Sequence, residues 1–203
     1  VATKETKKTS VEELAELMVG RRVLLRVKKG KAKPGQVVLD VKNLTWKDRK
    51  GVARVDNVSF TVRSGEIVGI AGVSGNGQSE LLELISGISK PSSGQIIFEG
   101  KDIGILGDPR HVREEGLAHV PEDRQHRGLI ASFDASESGI LGWQYDESLG
   151  RGFRLDRQAV VARSKKDMLE FDVRPADPLL RSGKFSGGNQ QKIILAREIG
   201  RDP

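Results

Sequence analysis

The sequence predicts an α/β fold, because an apolar strand, a glycine-rich turn and a helix follow one another directly. The run from Glu66 to Val73 is typical of a buried strand, and leucine and isoleucine recur at helical spacing from Ser79 to Ile88. A further helix with an apolar face is predicted after Ser186. A chain of 203 residues can bury one sizeable core, so we expect a single domain with an insertion.

The composition excludes several classes of protein. The absence of cysteine excludes disulfide scaffolds, thiolate zinc sites and cysteine nucleophiles, and it fits a cytoplasmic protein. No apolar run approaches the roughly eighteen residues of a membrane span, and no signal sequence is visible. The whole formal charge of +6 lies in residues 1–36, which hold ten basic and four acidic residues. No aromatic residue alternates with these lysines, so a solvated linker is favoured over a tail that binds nucleic acid or lipid.

The other elements are predicted from local patterns. In the N-terminal arm, Ser10 and Glu13 form a predicted capping box for a short helix that ends at Gly20 and carries an apolar stripe of Val11, Leu14, Ala15 and Met18. A weak edge strand is predicted over 23–27 and a spacer without regular structure over 28–36. Strands are predicted at Val37 to Leu44, Asn57 to Val62, Gly94 to Phe98 and Leu117 to Val120. A polar amphipathic helix is predicted from Leu155 to Phe171, within an inserted helical lobe.

The glycine-rich turn fits most of the phosphate-loop pattern, in which glycine and four further residues precede Gly-Lys-Ser/Thr. Gln78 stands where the lysine belongs. Glycines let backbone N–H groups point at phosphates, and the following helix adds about half a positive charge. Without the lysine ammonium we expect weak binding and a larger loss of catalysis, while the Ser79 hydroxyl can still ligate Mg²⁺. The predicted nucleotide-binding residues are Gly72, Ser74, Gly75, Asn76, Gly77, Gln78, Ser79 and Glu80.

A plain strand-to-helix turn would explain this one motif about as well, but a second motif favours nucleotide binding. The predicted C-terminal helix begins with a serine hydroxyl and glycine N–H groups, and a helix N-terminus of this kind forms an anion site. The apolar face of this helix contains Ile193, Ile194, Ala196 and Ile199. The predicted binding residues of the second motif are Ser186, Gly187, Gly188, Asn189 and Gln190.

The two motifs together resemble the ABC-type transport ATPase family over residues 37–203, and residues 186–190 are similar to its signature motif. The resemblance implies a P-loop NTPase core with an antiparallel β subdomain and an inserted helical lobe, and it implies ATP and Mg²⁺ as cofactors. It assigns Glu122, Asp123 and Arg124 to a loop that couples the site to a membrane partner, with Glu122 in place of the usual glutamine. It assigns Trp46 to adenine stacking, although a core or edge aromatic is nearly as consistent with this residue.

The resemblance is more specific in three segments, which are GNGQSEL at 75–81, VPEDR at 120–124 and LAREIGRDP at 195–203. They are similar to the second ATPase half of a tandem subunit in nucleoside importers served by basic-membrane-protein lipoproteins. Sugar importers are also similar, with arginine expected in place of Gln78. The implied domains are a linker with the tail of the preceding half at 1–36, a nucleotide-binding core at 37–130, a helical subdomain at 131–185 and the signature helix at 186–203.

The resemblance also implies a set of partners, and it implies that the chain lacks the catalytic residues of the family. The expected partners are the first nucleotide-binding half of the same subunit, membrane permease subunits and, indirectly, a substrate-binding lipoprotein. No nucleic acid partner is expected. The expected location is the cytoplasmic face of the cell membrane. The family's metal-binding aspartate and catalytic glutamate would follow Pro203. We therefore expect an incomplete core sheet, no catalytic residue within the chain and no ATP hydrolysis by this polypeptide alone. The alternatives are a soluble ABC protein that acts on ribosomes or nucleic acid, and a regulatory half that binds no nucleotide.

Overall fold

The computed structural model describes residues 3–19, 30, 32–105, 107–152, 154–201 and 203. Within these residues the helices are α1 (Val11–Val19), α2 (Gln78–Ile85), α3 (Pro109–Glu114), α4 (Ala135–Ser138), α5 (Arg157–Glu170) and α6 (Gly187–Ile199). The strands are β1 (Val37–Lys47), β2 (Ala53–Arg63), β3 (Ser93–Phe98), β4 (Lys101–Asp102), β5 (Gly150–Arg151) and β6 (Arg154–Leu155). None of the described helices is long and apolar enough to cross a membrane.

The four-stranded sheet has the order β2-β1-β3-β4, and each neighbouring pair is antiparallel. Leu39 in the long central strand β1 lies opposite Val62 on one side and Phe98 on the other. Alternation of apolar and polar residues turns one face of the sheet toward α2 and α3, and the buried side chains there form the first core. Its members are Val41, Leu44, Val55, Leu81, Leu84, Ile85, Ile96, Ile103 and Val112. The predicted α/β fold and its antiparallel subdomain are confirmed, and three of the predicted strands are present.

Two other strand predictions are wrong. The segment 66–73 forms no strand, and the exposed fractions of Ile67 and Val73 are 88% and 74%. Residues 117–120 are half-buried and also form no strand. An apolar run becomes a strand only when a neighbouring backbone pairs with it, and no described strand pairs with either segment. The edge strand predicted over 23–27 lies outside the described residues.

The helical lobe and α6 share a second core. The helix predicted over 155–171 is present as α5, and the Asp156 carboxylate caps it by accepting from the backbone N–H groups of residues 158 and 159. Ile193, Ile194 and Ala196 of the predicted apolar face of α6 are buried, whereas Ile199 at the end of the helix is 49% exposed. The buried members of this core are Leu129, Ala135, Met168, Val173, Phe185, Ile193 and Ile194.

The predicted N-terminal helix is confirmed as α1, and Ser10 Oγ accepts from the Glu13 N–H at 3.1 Å. The Glu13 carboxylate pairs with Lys4 at 2.8 Å. The predicted apolar stripe is exposed at Val11 and Met18, since none of the described core residues lies against it.

We expect the 203-residue chain to self-associate through residues 66–73, because this exposed apolar backbone offers unpaired hydrogen-bonding groups to a second copy. The Ile67→Lys, Ile70→Lys double variant is expected to reduce the association, since charges disfavour edge pairing. Size-exclusion chromatography with light scattering measures the mass. The matched control is Val11→Lys on the exposed stripe of α1. A monomeric parent chain would contradict the expectation.

Candidate nucleotide-binding site

The glycine-rich turn lies directly before α2, as predicted. Gly77 is the N-cap of the helix with φ of 94° and ψ of 0°, in the left-handed region. A Cβ atom at Gly77 would lie 2.2 Å from the Arg54 carbonyl oxygen on β2. Both the dihedral angles and the contact therefore require glycine. The turn leads into the first N–H groups of α2, which have no partner within the helix, and such groups can bind anions.

The Gln78 side chain folds back over the turn. Its Nε2 donates to the Val73 carbonyl oxygen at 3.2 Å, and a Cβ atom at Gly72 would lie 2.0 Å from this nitrogen. A side chain at position 72 would displace the amide end of Gln78 from this position. Because the amide is neutral, it contributes no charge to phosphate binding at the position where the phosphate-loop pattern has lysine.

Ser79 stands in the first turn of α2 and contacts the loop that follows Pro121. Its Oγ donates to Glu122 Oε1 at 2.9 Å. A hydroxyl and a carboxylate are both oxygen ligands of the kind that Mg²⁺ takes, so these residues fit a magnesium site. The described residues contain no cluster of three or more His, Cys, Asp or Glu that could hold a metal. Phosphate oxygens and water would have to supply the remaining ligands.

The other predicted residues around this turn differ in exposure. Ser74 and Asn76 are exposed, and Glu80 is half-buried in the first turn of α2. Trp46 is half-buried and packs against the core beneath the sheet. This contact supports the alternative of a core aromatic, and adenine stacking by Trp46 stays a prediction.

The predicted coupling-loop residues have distinct structural roles. Asp123 caps the π-helical turn over Arg124–Gly128 by accepting from the N–H groups of Gln125 at 2.9 Å and His126 at 3.0 Å. The bond from the backbone N–H of His126, followed by the bond from its ring, holds the pKa of Asp123 below its usual range. Arg124 Nε donates to Gln190 Oε1 at 3.3 Å. The loop therefore contacts α6 as well as α2.

The second predicted helix start is also present. α6 begins at Gly187, with Ser186 as its N-cap. Ser186 Oγ makes no capping bond and accepts from Asn189 Nδ2 at 3.0 Å. Ser186 and Gly188 are exposed, and a Cβ atom at Gly188 would meet nothing within 4 Å. This helix start is therefore open to an anion from outside the chain.

Gln190 differs from its neighbours in the motif, because its side chain is only 7% exposed. Its Nε2 donates to the Ser182 carbonyl oxygen at 3.1 Å, and its Oε1 accepts from Arg124. Both polar ends of the amide are thus used inside the chain. These contacts hold the first turn of α6 in place, and nucleotide binding by Gln190 stays a prediction.

Arg197 is a buried residue that joins α6 to the loop and was not predicted from the sequence. Its Nη1 donates to the carbonyl oxygens of Gly128 at 2.8 Å and Ser138 at 3.1 Å, and its Nε donates to Glu198 Oε1 at 2.8 Å. Burial lowers the pKa of Arg197, and the adjacent Glu198 carboxylate opposes that shift. The sequence signal that could have indicated this residue is the Arg-Glu pair at 197–198, which interrupts the apolar pattern of the helix.

The family profile described as ABC transporter matches residues 55–203. A guanosine import ATP-binding protein of Bacillus subtilis is 41% identical over 203 residues, which are 100% of this chain and 40% of the relative. A nucleoside import ATP-binding protein of Lactococcus lactis is 43% identical over 192 residues, which are 95% of this chain and 38% of the relative. The chain thus spans about 40% of the length of the curated relatives it matches.

The fold is that of solved ABC cassettes. A dimeric bacterial ABC transporter cassette matches with a TM-score of 0.64 and 23% identity, covering 81% of this chain and 70% of the cassette. A nucleotide-free cassette matches with a TM-score of 0.65 and 22% identity, covering 83% and 66% of the two chains. At these identities the structures show the fold alone. Together with the profile over residues 55–203 and the relatives above, they show that this chain belongs to the ABC transporter family and has the ABC ATPase fold.

Proposed function

We propose that this chain is an ATP-binding half of an importer that takes up nucleosides or sugars. The observation that carries the proposal is the presence of two glycine-rich helix starts in one chain, the glycine turn before α2 and the serine-glycine start of α6. The relatives support an import role, since they are named for guanosine, nucleoside, glucose and ribose import.

The two helix starts have unequal roles in this proposal. The glycine turn builds a weak nucleotide site, because Gln78 offers a neutral amide and Ser79 offers a hydroxyl to Mg²⁺. Bound Mg²⁺ supplies charge neutralisation to the phosphates. The exposed start of α6 completes the competent site of the other nucleotide-binding half, where Ser186 and the glycine N–H groups stabilise the γ-phosphate. The two halves face each other head to tail in one subunit.

The proposed partners follow from this arrangement. The chain lies at the cytoplasmic face of the cell membrane, with residues 1–36 as linker, 37–130 as core, 131–185 as helical subdomain and 186–203 as signature helix. The subdomain and the 121–128 loop contact the permease, which receives substrate from a lipoprotein. The alternative role on nucleic acid is disfavoured, because no aromatic residue that could stack on bases lies between the lysines of the basic arm.

A regulatory half that binds no nucleotide is the second candidate. The observation that favours it is the position of the Gln78 amide, which bonds Val73 and covers Gly72 within the turn. A ligand that needs this space must first displace the amide.

We expect Ser186→Arg to lower ATP turnover of the complete importer by about 10²-fold or more, since it places bulk and charge at the start of α6. Gln78→Ala is expected to keep turnover within about threefold, since the amide contributes no charge. The measurement is steady-state ATPase activity in proteoliposomes with substrate and binding protein. Gln158→Arg, an equal charge change at an exposed position of α5, is the control. Loss of activity in Gln78→Ala with full activity in Ser186→Arg would contradict the assigned roles.

We expect Gln78→Lys to strengthen binding of Mg-ATP to this chain by about tenfold or more, because a charge-assisted contact replaces a neutral one. Photolabelling of the complete subunit with an azido-ATP, counted on peptides from residues 37–130, measures the affinity at this site. Gln78→Met, similar in length and uncharged, is the matched control and is expected to leave binding within about threefold. Equal binding by the lysine and methionine variants would show that this turn does not receive phosphates.

A further inference from the structure

Glu198 is a buried carboxylate near the end of α6, and the proposed function assigns it no part. Its side chain is 1% exposed, and its Oε2 has no hydrogen-bond partner among the described residues. Its Oε1 accepts from Arg197 Nε at 2.8 Å and lies 3.6 Å from Arg113 Nη2. A buried charge is costly unless it is paired, so the carboxylate is stabilised at this place by the two guanidinium groups.

The contact with Arg113 connects α6 to the helix that follows the glycine turn. Arg113 belongs to α3, and the neighbouring Val112 is buried with Leu81 and Leu84 of α2 in the first core. The guanidinium of Arg113 also donates to the Gly142 carbonyl oxygen at 3.2 Å. The side chain of Arg113 is 19% exposed, so water screens its attraction to Glu198 only in part. This ion pair is therefore a connection between α2 and α6 that does not pass through the 121–128 loop.

Arg197 extends the same set of charges into the helical lobe. We call Arg113, Arg197 and Glu198 the buried triad. The guanidinium of Arg197 donates to the carbonyl oxygens of Gly128 and Ser138, so the triad joins α3, α6, the loop and α4. Breaking a buried ion pair leaves a charge without compensation, which makes such a contact resist displacement.

We infer that Glu198 is a positioning residue, whose carboxylate holds the end of α6 against α3 and thereby fixes where the start of α6 lies relative to α2. The inference rests on the proposed function, in which the start of α6 stabilises the γ-phosphate in the site of the other half. Hydrogen-bond donors stabilise charge in a transition state only when they are correctly placed. Loss of the Glu198 charge is therefore expected to slow turnover, while ATP binding depends on the phosphate loop of the other half.

Steady-state ATPase activity of the complete importer in proteoliposomes, measured over a range of ATP concentrations, tests the inference. We expect Glu198→Gln, which keeps the shape of the side chain and removes its charge, to lower kcat about tenfold and to leave KM for ATP within about twofold. Arg113→Gln is expected to lower kcat by a similar factor. The double variant is expected to lower it no further, because each change removes the same ion pair.

The double variant also separates positioning from folding. Glu198→Gln leaves two largely buried guanidinium groups without their counter-charge, so we expect a lower midpoint of thermal unfolding. Neutralising Arg113 as well returns the triad to the parent excess of one positive charge, so most of the lost midpoint is expected to return while kcat stays low. Recovery of kcat together with the midpoint would show that Glu198 acts through folding alone, and it would overturn the inference. Single effects on kcat that multiply in the double variant would also overturn it.

Arg110→Gln is the matched control, because Arg110 lies on the same helix as Arg113 and forms its ion pair with Glu114 of that helix. We expect this variant to keep the parent kcat, and an equal fall in Arg110→Gln would count against a specific role of the triad. Parent kcat in Glu198→Gln would overturn the inference while loss of turnover in Ser186→Arg still supports the proposed function. Full turnover in Ser186→Arg would overturn the proposed role of the α6 start and the inference with it.

Discussion

The loop over residues 121–128 holds the two helices that carry both candidate helix starts. On one side Glu122 accepts from Ser79 of α2, and on the other Arg124 donates to Gln190 of α6. The loop is short and internally bonded, so it has little freedom to adjust one contact without moving the other. The relative position of the two helix starts within the chain therefore depends on this loop. In the proposed importer, a permease that moved the loop would displace both helix starts together.

Part of this structure could be predicted from sequence because the controlling physics is local. The glycine turn before α2 was predictable, since left-handed dihedral angles at Gly77 strongly favour glycine. The start of α6 was predictable from the serine and glycines before an apolar helical pattern. The strands β1 and β2 were predictable over most of their length from the local residue patterns at 37–44 and 57–62.

The remaining features depend on partners that are distant in sequence. The apolar run 66–73 has the composition of a buried strand, but burial requires neighbouring strands that local composition does not supply. Gln190 belongs to a motif that implies an exposed role, yet its amide is bonded to Arg124, which lies 66 positions earlier. The contact between Glu122 and Ser79, which lies 43 positions earlier, could not be predicted from the residues around either position. Contacts between residues so far apart in the sequence produce no periodic residue pattern from which they could be predicted.

The β2-β1-β3-β4 sheet has a consequence for synthesis of the protein on the ribosome. Its longest pairing is the β1–β2 hairpin, closed by a short turn, and every strand of the sheet lies before residue 103. Contacts between segments close in sequence form early, because they lose little loop entropy. The sheet and the core beneath it can therefore assemble while the lobe and α6 are still being translated. The nascent chain would leave the ribosomal tunnel with a folded platform on which the later helices dock.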